Sequence, residues 1–159
     1  MSGGAPSQIA AVMVASMLEN GELQAFILKQ LQPALSRRYH TLRTAINTYL
    51  LPLGCRIKLH DNTAGGYFIW LCLPNGLSGD SVMARASEEE ELVVAAGSMF
   101  EVPGDSEEIG THFESYLRIC FAWEDETQLA CGIERLSRVI TSLRASFGPR
   151  SLLIPEGYS

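Results

Sequence analysis

Near residue 51 the hydrophobic period of this chain changes, and with it the kind of element the chain can build. Upstream, Leu23, Phe26, Ile27, Leu31, Leu35, Tyr39, Leu42, Ile46, Tyr49 and Leu50 recur at threes and fours, which places them on one face of a helix. Downstream, CRIKLH (55–60) alternates apolar and polar residues, the mark of a half-exposed strand, and YFIWLCLP (67–74) is a continuous apolar run suited to a central strand ending at Pro74. LPLG (51–54) separates the two regimes. The pattern predicts an α+β fold: long N-terminal helices, then a small, mostly antiparallel sheet of three to four strands covered by helices.

The remaining elements follow from local chemistry. Pro6 and Ser7 open a first helix and Asn20-Gly21 closes it, because proline suits a first turn and glycine a C-terminal cap. Its apolar stretch, 9–18, has no basic residue ahead of it and is too short to span a membrane, so a buried helix is expected. Pro33 should kink or restart the second helix, with Arg37, Arg38 and Arg43 on its solvated flank. SGDSVMARASEEE (78–90) reads as a short helix with Ser78 or Asp80 as N-cap. LVVAA (92–96) and YLRICFA (116–122) read as a third and fourth strand, joined by an acidic, glycine-containing loop long enough to carry function. The last helix runs from about 125 to 147, with Leu129, Ile133, Leu136, Val139, Ile140 and Leu143 as its inner stripe. The expected organisation is 1–50 as helices of interdomain type, 51–147 as a small α/β sandwich domain, and 148–159 as a frayed tail.

Composition narrows the partners. A net charge of −6 and a pI near 5.0 leave no basic patch for nucleic acid. The four cysteines, Cys55, Cys72, Cys120 and Cys131, form no CxxC pair and have no histidine at ligand spacing, which argues against a metal site. All lie in apolar runs and read as reduced core thiols of an intracellular protein. His40, His60 and His112 accompany no nucleophile-elbow motif, so a hydrolase triad has little support. SEEEE (87–91) reads as a solvated helix end.

One residue breaks its own pattern. In ESYLRICFA (114–122), Arg118 stands among β-formers with no acid beside it. It is either an edge-strand arginine whose head reaches water, or a planar fork for a carboxylate or phosphate. AGSMF (96–100), directly after a strand, is either a simple turn or a place where Gly97 lets the backbone approach a ligand.

Taken together, GGYFIWLCLP (65–74), LVVAAGSMFEVPG (92–104) and YLRICFAWEDETQLACGIERL (116–136) resemble the C-terminal small domain of fold-type I, pyridoxal-phosphate-dependent aminotransferases of class I/II. The similarity is to the branch with the aminoadipate, kynurenine and aromatic-amino-acid enzymes. It covers nearly the whole chain except the tail. The resemblance implies that Arg118, the arginine of the YxRxxF strand, binds the α-carboxylate of an amino-acid substrate, and that Gly97 and Phe100 line the substrate side of the cleft. Ala96 stands where the family has a proline.

The same resemblance implies a ping-pong transfer of an amino group between an amino acid and a 2-oxo acid on pyridoxal 5'-phosphate, in a homodimer, cytoplasmic or mitochondrial. It further implies that the cofactor is held by a lysine with an aspartate at its ring nitrogen. The chain has two lysines, Lys29 within a helical pattern and Lys58 on the alternating strand, and neither has the family's serine- and glycine-rich setting. The expectation is therefore a fragment carrying the carboxylate arginine without the cofactor lysine. The alternatives are a free-standing, non-catalytic module that binds a ligand or partner, and a lyase or synthase of the same fold type.

Overall fold

Residues 7–58, 66–74, 76–102 and 113–146 are described by a computed structural model. Their contacts divide the chain into two units, Met1–Arg37 and Arg38–Ser159.

In the first unit, α1 (Gln8–Glu19) begins at Ser7, whose side-chain oxygen accepts from the Ala10 amide. Gly21, at φ 72°, turns the chain into α2 (Glu22–Phe26). A π-helical turn, Ile27–Leu31, then leads into α3 (Gln32–Ala45), with the Gln32 amide donating back to the Ile27 carbonyl. Pro33 has no amide to continue an α-helical ladder, and the widened turn carries the helix past it rather than ending it. A second π turn, Ile46–Leu50, sits in the same relation to Pro52. The expected burial of the first helix is not found. No residue of α1 is buried, and Ile9, Val12 and Met13 are 71%, 69% and 62% exposed. Apolar composition gives a helix its preference for cover, but only a facing surface supplies it.

The second unit is built on an antiparallel sheet, β1 (Arg56–Ile57), β2 (Phe68–Cys72), β3 (Ala95–Ala96) and β4 (Tyr116–Cys120), in the order β1-β2-β4-β3. The continuous apolar run is thus an inner strand, as its composition predicts. Ile69, Leu71, Ala96, Leu117 and Ile119 are buried on one face. The core continues into α4 (Gly79–Glu90), capped by Ser78, and α5 (Glu126–Ser146), whose six predicted stripe residues are all buried. α4 packs on α5, β3 and β4, while α5 also packs on the second π turn, bringing Ile46 and Leu50 into the same core. Cys55 joins them, and burial pushes its thiol up to about 11, with Cys72 adding to the shift and Arg144 opposing it.

Four expectations are corrected. Of residues 92–96 only Ala95 and Ala96 join the ladder, and Val93 is 98% exposed, because nothing pairs the segment before β3. The cysteines are all free, but Cys120 and Cys131 are exposed and only Cys55 is buried, since an apolar run on a strand or helix still has an outward side. Arg38 is half-buried and donates to the Ala122 carbonyl at 2.6 Å, instead of lying on a solvated flank. The acidic end of α4 is more than solvated surface. Glu90 bonds Arg135 and Arg138 of α5, and chiefly the Arg138 hydrogen bond holds its carboxyl below the usual range.

Candidate functional site: the outer face of the sheet

Alternation puts Phe68, Trp70 and Cys72 of β2, and Tyr116, Arg118 and Cys120 of β4, on the face turned away from the core. Arg118 lies opposite Trp70 on one side and Ala95 on the other, so β4 is an inner strand and the edge-strand reading falls. Its guanidinium carbon is 4.1 Å from the ring centroid of Phe68 and 4.1 Å from that of Phe100. Among the described residues no carboxylate lies within ion-pair distance of it. A half-buried cation held by two ring faces keeps its five N–H donors available in the plane between them.

The turn after β3 positions Phe100. Residues Gly97–Phe100 form one 3-10 turn, and Gly97 is buried at its start. A β-carbon on Gly97 would run into the Phe113 carbonyl and would come within 2.9 Å of the Phe113 and Tyr116 β-carbons. Only glycine fits there. Two acids of the described residues bond the scaffold here: Asp80 accepts from the Ser98 hydroxyl at 2.9 and 3.0 Å, and Glu101 accepts from the Phe113 amide at 2.6 Å. The sequence expectation for this loop therefore divides by role: Phe100 covers Arg118, and Gly97 lets the backbone pass against Phe113 and Tyr116. Ala96, in the place of the family's proline, is fully buried and pairs with Leu117. The loop from 103 to 112 lies outside the described residues, as do His60, His112 and the tail.

Sequence reasoning missed the aromatic layer and the second cation within it. Trp70 contacts Phe100 at 5.5 Å and Phe113 at 5.3 Å, and Phe113 contacts Tyr116 at 5.8 Å. Lys58 donates its amide to the Trp70 carbonyl at 2.9 Å, and its ammonium lies 5.5 Å from the Phe113 ring and 5.2 Å from the Tyr116 ring. Desolvation, then the neighbouring Cys72 thiol, raises the pKa of the Tyr116 phenol. The period-two alternation of CRIKLH already placed Arg56 and Lys58 on one face; what it could not give was which face the aromatics share.

Lys29 is exposed on the first π turn, and Lys58 rests on aromatic rings; among the described residues neither has an ion-pair partner. A separate cleft of about 300 Å³, lined by Leu42, Val93, Ile119, Leu129 and Arg135 among others, contains none of the predicted site residues. Among the described residues no group of three His, Cys, Asp or Glu side chains is placed to hold a metal, and no helix is long and apolar enough to cross a membrane.

No protein-family model matches the chain. It is 32% identical over 142 residues to an uncharacterized protein of Saccharomyces cerevisiae, covering 89% of this chain and 30% of that one. It is 36% identical over 81 residues to the 2-aminoadipate transaminase of Thermus thermophilus, covering 51% of this chain and 18% of that one. The solved α-aminoadipate aminotransferase of Thermus thermophilus, in complex with N-(5'-phosphopyridoxyl)-L-leucine, superposes with a TM-score of 0.66 at 25% identity, over 84% of this chain and 31% of that one. The chain thus spans less than a third of the length of each of these proteins. With its helices followed by a four-stranded antiparallel sheet, the chain has the fold of the aminoadipate aminotransferase over a portion consistent with a C-terminal small domain.

Proposed function

We propose that this chain is the substrate-carboxylate-binding portion of a pyridoxal-phosphate-dependent aminotransferase, which transfers an amino group between an amino acid and a 2-oxo acid, and that Arg118 holds the substrate α-carboxylate. The observation that carries the reading is the guanidinium clamped between Phe68 and Phe100, with no described acid to neutralise it. A planar fork can meet a carboxylate with two parallel hydrogen bonds, and the ring faces restrict the rotation that would misalign them. Fixing the substrate at one end converts diffusion into positioning, which is the contribution this chain makes. Since no lysine here is fitted to the cofactor, no step of the bond-making chemistry is derived from these residues. In this reading pyridoxal phosphate serves as the electron sink in the intact enzyme, which works as a cytoplasmic or mitochondrial homodimer.

Arg118→Ala, made in the enzyme that contains this chain, tests the assignment. It is expected to raise KM for the amino acid and lower kcat while the cofactor stays bound, with a loss on the order of 2–5 kcal/mol in kcat/KM. Unchanged turnover would refute the role. Analysis of the products, a 2-oxo acid and a new amino acid, separates transamination from lyase chemistry.

A further inference from the structure

The carboxylate of Asp80 reaches the turn that carries Phe100. Asp80 is the second residue of α4, and the start of that helix is pinned to the sheet. The Gly79 amide donates to the Glu114 carbonyl at 2.7 Å, and a β-carbon on Gly79 would run into the Tyr116 carbonyl. The Ser78 hydroxyl oxygen accepts from the Ser81 amide at 3.2 Å and closes the same first turn. From this fixed base both oxygens of Asp80 accept from the Ser98 hydroxyl, at 2.9 and 3.0 Å. Ser98 is the second residue of the Gly97–Phe100 turn, and two residues later the Phe100 ring centroid lies 4.1 Å from the Arg118 guanidinium carbon. At three residues per turn, side chains two apart point about 120° from one another, so the same few backbone bonds direct Ser98 toward α4 and Phe100 toward the sheet. Gly97, packed on Phe113 and Tyr116, sets where the turn starts; the bond from Ser98 to Asp80 sets how far it rotates about that start.

We propose that Asp80 is a positioning residue for Arg118: through the Ser98 hydroxyl it orients the turn that lays Phe100 on the guanidinium, and so fixes the plane in which a carboxylate is met; this rests on the reading of Arg118 given above. The bond is charge-assisted, which suits it to hold a short turn in one orientation. Without it the turn rotates, the ring slides from the guanidinium, and the fork leaves the plane that two parallel hydrogen bonds require.

The test reads the Arg118 Nε–H resonance of the chain by NMR. A proton held against the face of an aromatic ring is shielded, so Phe100→Leu moves this resonance downfield and sets the full span. Asp80→Ala and Ser98→Ala are each expected to recover at least half of that span, and the double variant no more than either alone. Ser98→Thr, which keeps the hydroxyl, holds the resonance in place, as does Glu88→Ala, an equal change of charge on an exposed position of α4. Ser98→Ala keeps the test open if Asp80→Ala does not fold. A resonance unmoved by Ser98→Ala or by Phe100→Leu overturns the proposal, as does an additive double variant, which would mean that Asp80 and Ser98 act separately. In the enzyme that contains this chain, Asp80→Ala is expected to raise KM for the amino acid about threefold, the worth of a modest hydrogen bond, and to add nothing once Arg118→Met is present. A KM raised by Arg118→Met but not by Asp80→Ala overturns the positioning role alone. Kinetics unaltered by Arg118→Met, with the resonance shifts as expected, overturn the Arg118 reading and take this role with it.

Discussion

If Arg118 is held by ring faces, its coupling to Phe100 is measurable. The guanidinium carbon is 4.1 Å from the Phe100 centroid, well inside the range where a cation feels the ring quadrupole. Both groups are half-buried, so the interaction belongs between the fully exposed limit, about 0.5–1 kcal/mol, and the desolvated limit, about 2 kcal/mol. A coupling of about 1 kcal/mol is expected. Phe100→Leu alone does not isolate it, because that change also removes the edge contact with Trp70 at 5.5 Å. A double-mutant cycle with Arg118→Met does, since the indole contact is lost equally with and without the arginine. Urea denaturation supplies the four stabilities; with a slope of roughly 2 kcal/mol per molar, the coupling appears as a midpoint discrepancy of about 0.5 M. The coupling should also persist in high salt. A coupling below about 0.3 kcal/mol is indistinguishable from additivity and would refute the aromatic clamp. One that collapses with salt would point to an acid partner instead.

Gly97→Ala is expected to destabilise the chain by about 1–3 kcal/mol, because its β-carbon meets backbone and two β-carbons rather than a yielding side-chain tip; thermal unfolding checks this, and an unchanged midpoint contradicts the packing of the turn. Glu90 makes stability depend on pH in a defined direction. Its carboxyl is lowered from 4.5 in the folded chain, chiefly by the Arg138 hydrogen bond, so its contribution is present above about pH 4.5 and is lost as pH falls through the folded value. Glu90→Gln should therefore unfold at a lower temperature than the unaltered chain at pH 7, with the gap narrowing as the pH falls below about 4.5; a gap that stays constant with pH removes the ion-pair explanation.

The elements themselves were legible in the sequence wherever one face decides the pattern. The stripe of α5 is buried residue for residue, Ser78 caps α4, and the YFIWLCLP run became an inner strand. Period and capping are local chemistry, and local chemistry is written in order along the chain. The pattern failed where pairing or cover comes from elsewhere. The apolar α1 is exposed, three residues of the LVVAA run join no ladder, and two cysteines in apolar segments face outward.

For the candidate site the division is sharper. The sequence marked Arg118 as an unpaired charge in a strand, and motif resemblance attached a carboxylate to it, together with Gly97 and Phe100. It could not place Phe68 and Phe100, 32 residues apart, each 4.1 Å from one guanidinium carbon, nor set Lys58 beside Trp70 in the same row. Those relations depend on strand order and register, which arise from contacts between distant segments, and only folding the sheet as β1-β2-β4-β3 brings those segments together.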